Sequence, residues 1–418
     1  MDNEKNGRVL VVGGGASGML CAAMSAALGA RVTLFERNEK LGKKLFLTGK
    51  GRCNLTNAAE INDFFDSIHS GRKFMYSSLY GFSNEDTVSF FEERGLHTQV
   101  ERGNRVFPKS GRSSDVIKVL SQELTKKGVD VRLNTRIKKL LIEDGRCAGL
   151  VDRNGRKWKG EKVVIATGGL SYPLTGSTGD GFLMAEEAGH TVTALTPGLV
   201  PFNLKDRAVP KLMGLSLKNT GLKILDGDKE LFKGFGELLF THFGISGPLI
   251  LTASEVLPKE AFERELTLHL DLKSALSEKE LDERLKRDFE ENKTKFFKNS
   301  LSRLFPSKLI PLMVERSGIE EDRKCSQISA AERLKFGKLI KDLTFRFRSL
   351  RSFEEAVITR GGVELKEIEP STMASKIVKG LYFIGEVLDV DAETGGFNLQ
   401  IAWSTAAAAA RAVAGAEF

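Results

Sequence analysis

Cysteine is scarce and scattered. Only Cys21, Cys53, Cys147 and Cys325 occur, with no CxxC pair and no Cys/His cluster at zinc spacing. A disulfide scaffold and a structural zinc site are therefore not expected, and a reducing compartment fits. The five histidines (His69, His97, His190, His242 and His269) are equally dispersed, so no metal site is expected. There is no P-loop, no Ser-His-Asp arrangement and no second GxGxxG. Long blocks of one charge are absent too. Lys plus Arg number 63 against 55 Asp plus Glu, and the net charge of +8 is spread along the chain. That excess argues only weakly for anionic partners such as cofactor phosphates, nucleic acid or acidic lipid. With 41% hydrophobic and 28% charged residues over 418 positions, the chain is globular and long enough for two or three domains.

One uncharged run, Val9 to Ala30, reaches the roughly 20 residues that span a bilayer. It holds five glycines, three of them consecutive, which would break a continuous span. The preceding MDNEKNGR has two acids cancelling two bases, whereas a signal peptide wants a positive start. No other uncharged run is as long, so a cytoplasmic protein without a membrane partner is expected.

The same stretch reads better as a βαβ unit. Val9 to Val12 is a buried parallel strand ending in Gly13-Gly14-Gly15-Ala16-Ser17-Gly18, which fits GxGxxG at Gly13, Gly15 and Gly18. An Ala/Met/Leu-rich helix runs to about Leu28, Gly29 stops it, and Arg31 to Phe35 forms a second strand with Glu36 at its end. Gly13 permits the tight turn, Gly15 lets backbone approach a pyrophosphate, and Gly18 lets helix and strand pack closely. The helix N-terminus attracts phosphates, and Glu36 can accept ribose hydroxyls while repelling a 2′-phosphate. Strand, glycines, helix, strand and acid in that order predict a dinucleotide site, without separating FAD from NAD.

Three later segments favour the flavin. Leu41 to Asn57 is rich in glycine, hydroxyl and basic residues and offers N–H groups and cations to a diphosphate or flavin edge. Lys162 to Gly169 is an apolar strand closing on Ala166-Thr167-Gly168-Gly169. Gly380 to Ala402 holds a strand ending in Gly385-Glu386, with Asp389 placed for ribityl hydroxyls. In it, Gly395-Gly396-Phe397-Asn398 opens an alanine-rich helix whose N-terminus would stabilise reduced flavin.

Long ordered strings extend this pattern: GGGASG (13–18), GKGRCNLTN (49–57), ATGGLSYPLTGSTGDG (166–181), LVPF (199–202), LFTHFGISGP (239–248), VITRGGV (357–363) and GLYFIGEVLDVDAETGGFNLQIA (380–402). On these the chain resembles, nearly end to end, the BaiN-like family of bacterial NAD(P)/FAD-dependent oxidoreductases. The resemblance implies an α/β fold: a Rossmann-like FAD-binding domain interrupted by an inserted β-barrel-like domain with a helical lobe. It also implies oxidoreductase activity on varied substrates, aminoacetone oxidation in some members and steroid or bile-acid reduction in others. One departure stands out, because Lys50 interrupts what in many relatives is an all-glycine run before the arginine.

On the residues and the resemblance together, non-covalent FAD is expected at Gly13, Gly15, Ala16, Ser17, Gly18, Glu36, Arg37, Lys44, Thr48, Gly49, Arg52, Cys53 and Asn54. Further along, it is expected at Ile137 (through backbone beside the adenine), Ala166, Thr167, Gly168, Gly385, Glu386, Asp389, Gly396, Phe397, Asn398 and Leu399.

In the middle of the chain, residues 60–110 read as a helical insertion with Phe64, Phe65, Phe74, Phe82, Phe90 and Phe91 as core. Residues 129–151 read as strands with a turn at Glu143-Asp144-Gly145. Domains are expected at 1–195 (FAD-binding, first part), 196–276 with 340–370 (barrel-like, of short alternating strands), 277–339 (charged helical lobe) and 371–418 (FAD-binding, C-terminal part). Interspersed Glu and Lys make the lobe a solvated face first and a docking surface second.

Flavin carries its own redox chemistry, so few catalytic side chains are needed. The candidates are Arg52, which can hold a carbonyl or carboxylate, Cys53, Asn54, Tyr172 and His242. For Cys53 a packed thiol competes with a redox role, and for His242 a structural hydrogen bond competes with catalysis. The expected reaction is hydride transfer between flavin N5 and a small organic substrate, with transient NAD(P)H or oxygen completing the cycle. A nucleic-acid-modifying flavoenzyme and a non-catalytic flavin redox sensor are the alternatives.

Overall fold

The computed structural model describes residues 7–416. They form two compact units, one of the chain up to Gly198 together with that from Phe353 onward, the other of Leu199–Ser352. In chain order, β1 (Val9–Val12), β2 (Val32–Phe35), β3 (Asp130–Arg132) and β4 (Lys162–Ile165) belong to the first unit. The second unit holds β5 (Phe202–Leu204), β6 (Ser216–Asp226), β7 (Lys229–Phe240), β8 (Gly244–Ser246), β9 (Leu266–Asp271) and β10 (Leu343–Leu350). The first unit is then completed by β11 (Leu381–Phe383). Three helices position the site: α1 (Ala16–Ala27), α2 (Lys43–Gly51) and α3 (Phe397–Ala414). No helix among the described residues is long and apolar enough to cross a membrane.

The first unit is built on a parallel sheet in the order β11-β4-β1-β2-β3. Its centre, β1, has both faces covered, which is why its sequence is an unbroken apolar run. α1 packs against α3, where Ala406 to Ala410 are fully buried. Alanine on this face lets two helices lie close. Trp403 fills the adjoining space and donates from Nε1 to the Leu55 carbonyl at 2.9 Å. The hairpin 137–143/146–152 turns through Asp144 and Gly145, both left-handed, as a two-residue primed turn requires.

Three expectations need correction. Residues 60–110 are not wholly helical, since Arg105–Pro108 pairs with Thr98–Glu101 and with Thr56–Asn57. The phenylalanines there are nonetheless packing residues, with Phe64, Phe65, Phe82 and Phe91 buried. The first unit regains the chain at Phe353 rather than near 371, because Ile358–Arg360 pairs with Thr196–Gly198 and Thr359 Oγ1 accepts from the Leu170 and Ser171 N–H groups. The strands of the barrel are not all short, as β6 and β7 run for 11 and 12 residues.

The second unit is a closed antiparallel barrel, β5-β8-β7-β6-β9-β10, with β10 returning to β5. Leu266, Leu268 and Leu270 of β9 and Phe345 and Phe347 of β10 alternate inward. The helical lobe shares this core. Leu281, Leu285 and Phe289 fall on one face of helix Glu278–Glu291 and cluster with the barrel residues, which leaves its Glu and Lys to solvent.

A buried histidine stitches the end of the first unit together. His190 Nδ1–H donates to Glu367 at 3.0 Å, and the Ser375 hydroxyl donates to His190 Nε2 at 2.7 Å. Ser375 Oγ in turn accepts from the Ile377 and Val378 N–H groups, so both its lone pairs are engaged and it is no nucleophile. Burial lowers the pKa of His190 against the opposing pull of Glu367. The unfolded chain then binds the proton first, so stability is lost as pH falls below about 6.5. The Tm is expected to drop on acidification from pH 7.5 to 5.5, and His190→Gln to lower Tm at pH 7.5 while flattening that drop. An unchanged pH profile in the variant would contradict the assignment.

Candidate active site

The ends of β1, β4 and β11 bring three glycine segments to one edge of the sheet, the edge where open α/β sheets bind ligands. A Cβ on Gly13 would lie 2.3 Å from the Ala166 carbonyl oxygen, and φ there is +109°, so only glycine fits. A Cβ on Gly18 would lie 1.9 Å from the Gly13 oxygen. Gly15 differs, since no atom stands within 4 Å of its Cβ position and its backbone is extended. Two glycines thus serve packing, and the third faces open space. Gly15 caps α1 without any side-chain acceptor, and the first turn, Ala16 to Gly18, holds no acid. The N–H groups of that turn are left to an anion.

Glu36 fixes the other side of this cradle. Its Oε2 accepts from the Gly14 N–H at 2.8 Å, and its Oε1 accepts from the Asn38 backbone and side chain at 2.8 and 2.7 Å. Oε2 keeps a lone pair for one further donor, as a ribose hydroxyl is. Arg37 crosses to the loop after β4, where it contacts Thr178 and pairs with Asp180 at 3.3 Å. Arg136 holds the same Asp180 through two bonds of 2.7 and 2.8 Å, beside the buried Ile137. Arg136 and Asp180 escaped sequence reasoning, because neither belongs to a spaced motif.

A second network joins distant segments. Lys44 Nζ donates to Glu386 Oε2 and to Ser171 Oγ, each at 2.6 Å, and Ser171 donates to Glu386 Oε1 at 2.9 Å. The Thr359 N–H adds a bond of 2.8 Å to that same Oε1. Gly168 lies against Glu386, and Gly385 against Ser17. Lys44, Glu386, Ser17 and the Ala166-Thr167-Gly168 turn are therefore one cluster. Ser171 and Thr359 were missed, being ordinary hydroxyls in sequence.

Between these lies the loop Thr48 to Asn54. α2 kinks there, and Gly49, Lys50, Gly51 and Cys53 all take left-handed φ between +57° and +82°. For Lys50 and Cys53 this costs on the order of 1–3 kcal/mol each, the kind of strain kept at functional sites. Lys50 thus holds the backbone that glycine takes freely. Asn54 Oδ1 is buried without a partner. An open glycine cradle, an uncapped helix start, a ribose acceptor and an orphaned amide oxygen fit FAD.

The family model for the HI0933-like protein Rossmann domain matches residues 7–412. The chain belongs to the HI0933-like family. It is 32% identical over 409 residues to a ribosomal RNA dihydrouridine synthase of Haemophilus influenzae, covering 97% of this chain and 98% of that protein. It is 31% identical over 415 residues to a 3-dehydro-bile acid delta(4,6)-reductase of Clostridium scindens, covering 97% and 99%. A solved 3-ketosteroid delta1-dehydrogenase from Sterolibacterium denitrificans shares the fold, with a TM-score of 0.50 at 13% identity over 98% of this chain and 99% of that one. This HI0933-like protein is an FAD-dependent oxidoreductase.

The catalytic candidates divide in this member of the family. Arg52 is held by an ion pair with Glu101 and lies over the Phe107 ring at 4.2 Å, with its side chain 40% exposed. Tyr172 is left-handed and donates its N–H to Phe353, and burial, with the charge of Glu355, raises its hydroxyl pKa. Cys53 is fully buried, and burial pushes its thiol up to about 12. Burial favours the packed thiol over the redox role for Cys53 at neutral pH. His242 sits exposed in the second unit, in the loop between β7 and β8.

Four further cofactor candidates have structural partners. Asp389 Oδ2 accepts from Thr193 at 3.0 Å. Asn398 clamps the loop before α3 through the backbone of Ala392 and Glu393, Phe397 meets Phe64 edge-on at 4.8 Å, and Leu399 packs on the core. Gly396 starts α3 at φ +103° with no side-chain cap, its Cβ position 2.3 Å from the Thr56 oxygen.

Cys53 in the folded protein is expected to resist iodoacetamide at pH 8 and to react once denatured, and Cys53→Ala is expected to keep turnover within about threefold. Rapid native alkylation at Cys53, followed by peptide mapping, would restore it as a reactive group.

Proposed function

We propose that this FAD-dependent oxidoreductase reduces a carbon–carbon double bond conjugated with a carbonyl, with NAD(P)H as electron donor. The observation that carries the redox reading is the open Gly15 cradle at the uncapped start of α1, which fits a pyrophosphate. The bond type is supported by two full-length relatives, since delta(4,6)-reduction of a 3-oxo steroid and dihydrouridine synthesis both saturate a double bond next to a carbonyl.

Bound FAD supplies hydride transfer at N5. Gly15 and the first turn of α1 would hold its pyrophosphate, Glu36 would accept from a ribose, and the Lys44–Glu386 pair fixes the neighbouring backbone. Arg52, pre-oriented by Glu101 and Phe107, donates to the substrate carbonyl and shares the negative charge that develops there when the remote carbon accepts hydride. The carbon beside the carbonyl then takes a proton. Tyr172, whose hydroxyl is protonated at neutral pH and whose pKa burial raises further, is assigned as the proton donor. No second GxGxxG provides a separate NAD(P)H domain, so the donor visits transiently.

A second reading, reduction of a uracil within RNA, is favoured by the 32% identity to the dihydrouridine synthase and by the +8 charge.

The test is anaerobic stopped-flow with NADH and NADPH, followed by turnover with a 4-en-3-oxo steroid and with a uridine-containing RNA. Flavin bleaching by either nucleotide, then reoxidation by one of the two acceptors, is the expected result. Reduction only by an amine or alcohol, with oxygen as acceptor, would overturn the reading in favour of an oxidase. Tyr172→Phe is expected to lower kcat about 10²-fold with KM little changed.

A further inference from the structure

At one end of the barrel in the second unit, the strand register gathers positive charge. β5 pairs with β10 through Asn203 opposite Ser349 and Leu204 opposite Phe347, with a bulge between. Phe347 therefore points inward and Arg348 outward. The chain leaving β5 presents Arg207, and the β7–β8 loop presents His242 and Phe243. Together they line a cleft of about 450 Å³, within the range of small-molecule sites.

The charge balance of this cleft is one-sided. Its one acid, Asp206, is already engaged by Arg316 at 3.2 Å and by the Arg346 N–H at 2.8 Å. Arg207 and Arg348 are exposed and have no ion-pair or hydrogen-bond partner among the described residues. Arg351 lies over the Phe243 ring at 4.2 Å and donates to Asn203 Oδ1 at 3.4 Å, two contacts that hold its guanidinium in place. Two unspent guanidinium forks, a third held in place and an exposed imidazole suit an oxyanion with several acceptors in a compact group. The floor of Leu204, Val209 and Pro210 is apolar.

We propose that this cleft is a phosphate-binding site, distinct from the dinucleotide cradle, and that it takes the phosphate ester of a nucleotide. The group comes either from a free nucleotide such as NADPH or from the backbone of a polynucleotide, and Arg207 and Arg348 bind it in both cases. His242 is then an anion-binding residue of this cleft rather than a catalytic one. This goes beyond the flavin reading and stands without it, because every residue invoked lies in the second unit.

The FAD-loaded full chain would be titrated by calorimetry with pyrophosphate and NADPH, and by fluorescence anisotropy with a short single-stranded RNA, across a salt series. The wild type is expected to bind pyrophosphate and at least one of the other two. In Arg207→Gln/Arg348→Gln that affinity falls at least tenfold, and for RNA the salt slope shrinks by about 1.4. Lys229→Gln, an exposed charge elsewhere on the barrel, is expected to change neither. Loss confined to NADPH identifies a free nucleotide as the source, and loss confined to RNA identifies a polynucleotide. Flavin content and Tm unchanged in the double variant keep the comparison at this site. Wild-type protein that binds none of the three, or a double variant that binds them all undiminished, overturns the proposal.

Discussion

The first unit depends on one steric constraint, the contact of backbone on backbone where β1 turns into α1. Gly13 meets the Ala166 carbonyl and Gly18 meets the Gly13 carbonyl at distances no side chain survives. Because helix, turn and β4 touch through hydrogens alone, the first turn of α1 is aimed along the sheet edge and its N–H groups are held in a fixed fan. Gly15 sits at the one point of this turn where nothing approaches, so the anion site is a by-product of the packing. Gly385 against Ser17, and the Lys44–Glu386–Ser171–Thr359 network, bring the later chain to the same edge.

That network explains why chain separated by the whole second unit returns to one place. Thr359 Oγ1 accepts from two N–H groups of the β4 loop while its own N–H donates to Glu386. Its hydroxyl and amide thereby satisfy backbone and carboxylate groups that would be costly to leave unpaired in a partly buried site. Glu386 in turn balances Lys44, so the charge of neither is left uncompensated near the cradle.

Much of this was legible in sequence because the signals are local. Strand, glycine spacing, helix and Glu36 form a chain-contiguous unit, and the sheet strands Val9–Val12 and Lys162–Ile165 are short apolar runs closed by glycine. Alternation exposed the barrel at Leu266, Leu268 and Leu270. What escaped was set by partners far along the chain. Arg136 and Asp180 acquire meaning only once β4 and the Ile137 hairpin are adjacent, and the earlier return at Phe353 depends on Thr359 finding the β4 loop. For Cys53 a packed thiol and a redox role competed in sequence, and the burial that raises its pKa carries no local signature. His242 carried a structural and a catalytic reading side by side in sequence, and its place in the barrel unit shows only in the topology.

The central claim is that Gly15 is glycine for a ligand, unlike Gly13 and Gly18, which are glycine for the fold. The most direct measurement is an FAD titration of apoprotein prepared from wild type and from Gly15→Val, followed by flavin fluorescence, with Tm recorded for both apoproteins. The account predicts stoichiometric binding by wild type, and a variant of nearly unchanged Tm whose affinity has fallen at least tenfold. A variant that binds FAD as wild type does, or a wild-type apoprotein that takes up none, would contradict it.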